Sequence, residues 1–174
     1  MPVSLILGGA RSGKSRRAEV IASSLSESPI YLATAPLIDG DAEWLARIER
    51  HRKERGAHWQ LIEEELAIAS VLEKHALAGS VVLVDCLTLW LSNLLYAGRV
   101  VDEEIERLCA TLSGCSGEVI LVSNEVGMGL VPENELGRCF RDAQGRMNQR
   151  VAAVADRVEF IAAGLPICMK GEKT

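Results

Sequence analysis

Hydrophobic and polar positions along the chain follow two alternating rhythms. Ser4 to Leu7 (SLIL), Ile30 to Thr34 (IYLAT), Val81 to Asp85 (VVLVD) and Glu118 to Glu125 (EVILVSNE) are short runs without a sustained polar face. Such runs predict strands buried on both sides. Between them, apolar residues recur at three- and four-residue spacing, which predicts helices with one buried stripe. Lys14 to Leu25 has this pattern through Ala18, Ile21, Ala22 and Leu25, and Asp102 to Leu112 has it through Ile105, Leu108, Cys109 and Leu112. Further helices are expected over Asp41 to Arg55, with Asp41 as N-cap and Gly56 as stop, and over Glu65 to Ala78, closed by Gly79. The apolar Leu87 to Tyr96 and the long stretch from Asn134 to Ala155 also read as helices, before RVEFIAA and PICMK close the chain as strands. Apolar strands separated by helices give an α/β fold, a mainly parallel sheet with helices on both faces.

At 174 residues the chain is expected to form one domain over residues 1–174. Hydrophobic residues make up 48% and charged ones 25%, which separates it from disordered and fibrous classes. A net charge of -5 argues against a nucleic-acid or anionic-membrane partner, because counterion release needs a dense basic surface. No apolar run reaches the roughly 18 residues of a spanning helix, and the N-terminus enters a glycine-rich loop within a few residues, so a cytoplasmic protein is expected. Five cysteines without CxxC spacing support neither a disulfide framework nor a zinc site.

The first chemical signal lies between the first strand and the first helix. Gly8, Gly9, Ala10, Arg11, Ser12, Gly13, Lys14 and Ser15 match the phosphate-loop pattern G-x-x-x-x-G-K-S in its required strand-to-helix context. Glycines let successive N–H groups turn inward on phosphate oxygens at the positive end of a helix. Lys14 would reach the β- and γ-phosphates, and the Ser15 hydroxyl would ligate Mg²⁺. Asp85, ending an apolar strand, is the candidate second magnesium ligand, against the alternative that it only caps the following helix. The fold expectation becomes a P-loop NTPase, RecA-like. No guanine-reading N-K-x-D motif occurs, and the strand-ending Asp85 is followed by Cys-Leu-Thr instead of the x-x-Gly of a switch, which disfavours a regulatory GTPase, and a small-molecule kinase fits size and charge.

A plain kinase leaves EWLARIERHRKERGAHW unexplained. His51 shares a helical face with Trp44 and Ile48 and is flanked by Arg47, Arg50, Arg52, Lys53 and Arg55. It reads either as a structural histidine or as a nucleophile toward an α-phosphate, kept neutral and assisted by those cations. Asn124 and Glu125 end the fourth strand, where open α/β sheets bind ligands. They either contact a substrate or satisfy backbone groups of a turn.

LGGARSGKSRRAE, ARIERHRKERGAHW and ILVSNEVGMGLVPENELGRCFRDAQGRMNQRVAAVAD occur in order over essentially the whole chain. Together they resemble the bifunctional adenosylcobinamide kinase/adenosylcobinamide-phosphate guanylyltransferases of cobalamin (vitamin B12) biosynthesis. The resemblance implies phosphorylation of adenosylcobinamide by ATP or GTP, then transfer of GMP from GTP through a guanylylated histidine to give adenosylcobinamide-GDP and pyrophosphate. It places the guanylylated residue at His51, where some members carry two histidines and this chain has Arg50-His51. It implies nucleotide contacts at Thr34, Ala35, Pro36, Arg52, Lys53, Glu54, Arg55, Glu63 and Asp85. A relative of that family has Glu where this chain has Asp85, so the reach to the metal here is one methylene shorter. The resemblance also implies a homo-oligomer, a trimer. The alternative is a single-function P-loop kinase of another small alcohol with His51 structural.

Overall fold

The computed structural model describes residues 3–36, 56 and 58–171. The helix expected over 41–55 lies outside them. Strand β1 (Val3–Gly8) leads into helix α1 (Lys14–Leu25), β2 (Ile30–Ala33) and β3 (Gln60–Glu63). Helix α2 (Ile68–His75), β4 (Val81–Asp85), α3 (Leu87–Tyr96) and α4 (Val101–Gly114) follow. The chain continues through β5 (Glu118–Asn124), α5 (Glu135–Val154), β6 (Arg157–Ala162) and β7 (Leu165–Lys170). One seven-stranded sheet has the order β3-β2-β4-β5-β1-β6-β7, and every adjacent pair is parallel except β6 with β7. A strand inserted between the phosphate-loop strand β1 and the acid-ending strand β4 is the arrangement that the RecA-like expectation requires.

Alternate positions of the buried strands feed two cores, as a two-sided sheet demands. Leu5, Val82, Val84 and Leu121 pack against Leu72 of α2, Trp90 and Leu94 of α3, Leu108 of α4 and Met147 of α5. Ile6, Leu83, Ile120 and Val122 face Ala18 and Ala22 of α1. Two alanines on α1 bring that helix close to the sheet, which fixes where its first turn stands. Trp90 is fully buried and donates its indole N–H to the Leu66 carbonyl at 2.8 Å.

Two expectations change. Strand β3 is absent from the sequence reading because it is a four-residue edge strand exposed at three positions, stabilised by pairing with β2 and not by its own pattern. Helix α2 is shorter than Glu65 to Ala78. The Glu64 carboxylate takes the N–H groups of Leu66 and Ala67 into a turn before it, and the Ala76 carbonyl accepts from Ser116 and Gly117 after it. A Cβ on Gly117 would stand 2.4 Å from the Leu77 carbonyl oxygen and 2.5 Å from Ser80 Oγ. Gly117→Ala should therefore cost about 1–3 kcal/mol, read as a lower urea midpoint at unchanged slope. Among the described residues no helix is long and apolar enough to cross a membrane.

Candidate active site

The parallel strands all end on one edge, and the sequence-predicted residues of the described chain collect there. Gly8 pairs with Asn124, and Ala33 pairs with both Asp85 and Glu63. β1 and β4 are separated by β5, so their ends stand roughly 10 Å apart at the usual strand spacing. That is a distance a triphosphate and a metal ion can bridge.

The phosphate loop owes its shape to sterics. A Cβ on Gly8 would lie 2.5 Å from Ser12 Oγ and 2.7 Å from the Ile161 carbonyl oxygen, so only glycine lets the loop close. Gly13 has φ 96° and Arg11 has φ 56°, the left-handed values that curl the backbone before α1. No side chain caps α1 at Gly13, and the first turn carries no acidic residue. The helix's first N–H groups and its positive dipole end are thus available to an anion. Lys14 Nζ donates to the Gly9 carbonyl at 3.2 Å, lying across the loop it would serve, and Ser15 is half-buried in the first turn.

Asp85 accepts a hydrogen bond from the Tyr31 hydroxyl at 2.7 Å, which orients the carboxylate. Its neighbour Cys86 has a thiol pushed up to about 11, by burial first and then by the Asp85 charge, with Lys14 acting in the opposite sense. That thiol is protonated at neutral pH and is no nucleophile. Thr34 is fully buried, and its hydroxyl donates to the Cys86 carbonyl at 2.8 Å and accepts from the Cys86 N–H at 2.9 Å. Its own carbonyl accepts from Asn93 Nδ2 at 2.8 Å. The Thr34 side chain therefore fastens β2 to β4, and the half-buried Ala35 and Pro36 continue at the edge. Beside Pro36 a groove of about 560 Å³ is lined by Leu66, Leu89, Asn93 and Tyr96. Glu63 ends β3 beyond them, exposed.

Ser15 and Asp85 offer a hydroxyl and one carboxylate. This donor set fits Mg²⁺, which binds one or two carboxylates, keeps waters and takes its remaining ligands from phosphates. Among the described residues no group of three His, Cys, Asp or Glu side chains stands ready to hold a metal without that help.

The structure separates the Asn124-Glu125 pair. Glu125 accepts from the N–H groups of Gly127 at 2.6 Å and Met128 at 3.1 Å, so its carboxylate is consumed by the turn. The Glu125 N–H donates to the Gly8 carbonyl at 3.1 Å, tying this turn to the phosphate loop. Arg141 donates to the Gly127 carbonyl and Arg138 to the Pro132 carbonyl, while Arg146 and Arg150 face Asp102. All four arginines thus have protein partners. His51, Arg52, Lys53, Glu54 and Arg55 lie outside the described residues.

Sequence reasoning missed the group that locks α1 to the sheet. Glu159 of β6, 3% exposed, accepts from Arg17 Nε at 2.9 Å and Nη2 at 3.0 Å, and from Arg157 Nη2. Burial alone would raise its carboxyl, but the hydrogen bonds from Arg17 and Arg157 outweigh it and hold the group below the usual carboxylate range. A carboxyl depressed in the folded state stabilises above its unfolded value and loses that contribution as pH falls through the folded one. Glu159→Ala, which leaves two guanidiniums facing each other, should cost about 3–5 kcal/mol at pH 7. In urea titrations the difference from wild type should narrow only below about pH 4.

A family model described as "Cobinamide kinase / cobinamide phosphate guanyltransferase" matches residues 4–169. The chain is 49% identical over 170 residues to a Pseudomonas aeruginosa protein named "Bifunctional adenosylcobalamin biosynthesis protein CobP", covering 97% of each chain. It is 39% identical over 183 residues to the Salmonella typhimurium "Bifunctional adenosylcobalamin biosynthesis protein CobU", covering 95% of this chain and 98% of that protein. Two solved structures share the fold. The P4 protein from bacteriophage phi6 in complex with ADP has a TM-score of 0.50 at 16% identity, covering 95% of this chain and 52% of that one. A prototypical ATPase from a type III secretion system has a TM-score of 0.51 at 14% identity, covering 96% and 56% respectively. The chain thus spans only about half of either structural neighbour.

Proposed function

The chain belongs to the cobinamide kinase / cobinamide phosphate guanyltransferase family, and on that premise we propose that residues 1–174 form one unit running both reactions of that name on adenosylcobinamide. In the first, the adenosylcobinamide side-chain hydroxyl attacks the γ-phosphoryl group of ATP or GTP. In the second, His51 attacks the α-phosphate of GTP, and its guanylyl group then passes to adenosylcobinamide phosphate, giving adenosylcobinamide-GDP. The observation that carries the reading is the uncapped phosphate loop at the same sheet edge as Asp85, Asn124 and the groove beside Pro36.

The chain's own groups divide the work as follows. Loop amides and the α1 dipole bind the β- and γ-phosphates, and Lys14 swings from the Gly9 carbonyl to neutralise charge gathering on the bridging oxygen. Ser15 and the Tyr31-oriented Asp85 would hold Mg²⁺, which when bound would neutralise charge on the nucleotide phosphates. For the guanylyl step, a nitrogen–phosphorus bond forms at His51 as the bond to pyrophosphate breaks, and the substrate phosphate then displaces the imidazole. Thr34, Ala35, Pro36, Glu63 and the Arg52 to Arg55 stretch flank the nucleoside end in this reading. Catalysis is mostly positioning, which suits a rigid sheet edge.

Incubation of the protein with α-labelled GTP, followed by denaturation, should leave label on the protein that is acid-labile and base-stable. Cobinamide with ATP should yield cobinamide phosphate. Phosphorylation without protein label would instead identify a single-function kinase.

A further inference from the structure

Asn124 is gripped through its backbone from both sides of the strand end. Its N–H donates to Thr88 Oγ1 at 2.8 Å, and its carbonyl accepts from Asn148 Nδ2 at 3.0 Å, so α3 and α5 each hold one of its peptide groups. Asn148 is itself fixed, because its Oδ1 accepts from Ser123 Oγ at 2.7 Å and from the buried Gln144 at 3.1 Å. Despite this framework, Asn124 Oδ1 is buried with no hydrogen-bond partner among the described residues. A buried acceptor without a partner is destabilising, and in a native fold it calls for an explanation.

The side chain's face of the sheet supplies one. Side chains two apart on a strand share a face, and Val122 packs on the α1 side of the sheet with Ile6, Ala18 and Ala22. Asn124 therefore projects to the α1 side, as does its register partner Gly8. The atom that covers Gly8 is Ser12 Oγ, which is also buried without a partner. Two unbonded polar groups thus stand over neighbouring strand ends at the foot of the phosphate loop. Ser12 belongs to the loop itself, and Asn124, ending β5, stands between that loop and the strand that ends in Asp85. Glu125, the other polar residue of this strand end, is already bound to its own turn.

Resting on the kinase reading above, we infer that Asn124 Oδ1 accepts a hydrogen bond from the attacking hydroxyl of the substrate and so aims that oxygen at the γ-phosphorus. An amide oxygen is too weak a base to take the proton. In a loose transition state the hydroxyl keeps it until the new O–P bond is largely made, then passes it to an oxygen of the transferred phosphoryl group. The bond from γ-phosphorus to the bridging oxygen breaks, and the nucleoside diphosphate leaves with that electron pair. Asn124 serves the kinase half-reaction alone, because guanylylation of the protein has no attacking alcohol.

The test compares wild type with Asn124→Leu, which keeps the side chain's branching at Cγ and removes its oxygen. Wild type must first convert cobinamide and ATP to cobinamide phosphate; failure there overturns the kinase reading and this role with it. With wild-type turnover established, kcat for phosphorylation should fall about 10²-fold in the variant, as for loss of one preorganised hydrogen-bonding group. The KM for ATP should stay within about twofold, and α-labelled GTP should still mark the protein. The melting temperature should be unchanged or higher, since an unbonded buried oxygen has been removed. Should Asn124→Leu fail to fold, Asn124→Ser, whose hydroxyl is too short to reach, is read by the same kinetic split. A wild-type kcat overturns the inference. So does a parallel loss of phosphorylation and label, which would make Asn124 a phosphate contact or a scaffold residue.

Discussion

His51→Asn protein is expected to phosphorylate cobinamide at a rate within about threefold of wild type, to take up no covalent GMP, and to make cobinamide-GDP roughly 10⁴-fold more slowly or not at all. This outcome is expected because the two half-reactions attack different phosphorus atoms. In the proposed scheme the kinase step needs the loop, Lys14 and a positioned alcohol, and it leaves the α-phosphate untouched. The guanylyl step needs a nitrogen that can be bonded to that α-phosphorus and then displaced, which a carboxamide cannot provide. His51 stands among Arg47, Arg50, Arg52, Lys53 and Arg55 in the sequence, cations able to stabilise a transferring phosphoryl group. A rapid-quench assay with α-labelled GTP, run beside a coupled kinase assay, reads both steps from one preparation. Full labelling of His51→Asn would refute the assignment of the nucleophile, and equal loss of both activities would show that the segment serves binding of every nucleotide.

Lys14→Ala is expected to act on both reactions at once. Lys14 is the first residue of α1, and its Nζ spans back to the Gly9 carbonyl at 3.2 Å. Charge builds on the β–γ bridging oxygen when a γ-phosphoryl group leaves, and on pyrophosphate when the α-phosphate is attacked. In the proposed scheme one ammonium at the loop would meet both. Removing it should lower kcat for phosphorylation by about 10³-fold and slow protein guanylylation by a similar factor. Lys14→Arg should recover little, since the planar guanidinium cannot take the place of a compact ammonium inside the loop. Melting temperature measured without nucleotide should change little, which separates this effect from unfolding. Rates within tenfold of wild type in either assay would show that the loop amides carry the charge without the lysine.

The parts of this site readable from sequence are those whose cause is local. The phosphate loop fits within eight consecutive positions, Gly8 to Ser15, and Gly8 and Gly13 are required by its backbone geometry, the first by close approach and the second by its positive φ. Asp85 is legible as the polar end of an apolar strand. What orients it is not, because Tyr31 comes from another strand, 54 residues earlier in the chain. The clamp of Arg17 on Glu159 joins groups 142 residues apart, and nothing near either one announces the other. Asn124 and Glu125 looked equivalent as neighbouring polar residues. Only tertiary contacts show that the turn has used the carboxylate and left the amide oxygen unbonded. Thr34 teaches the reverse lesson, since resemblance marks it as a nucleotide contact while its hydroxyl is engaged by the Cys86 backbone.

The phosphate loop leans on the far end of the chain. The Gly164 N–H donates to the Ser12 carbonyl at 2.8 Å, a Cβ on Gly13 would come within 3.3 Å of Gly164 Cα, and the Ile161 carbonyl presses on Gly8. Ala163 and Gly164, both with positive φ, form the hairpin tip that makes these contacts. The motif is therefore no transplantable cassette. A fragment ending after α5 would retain every letter of the nucleotide signature while lacking its backstop, and during synthesis the ability to grip a triphosphate should arrive last, when the closing hairpin docks.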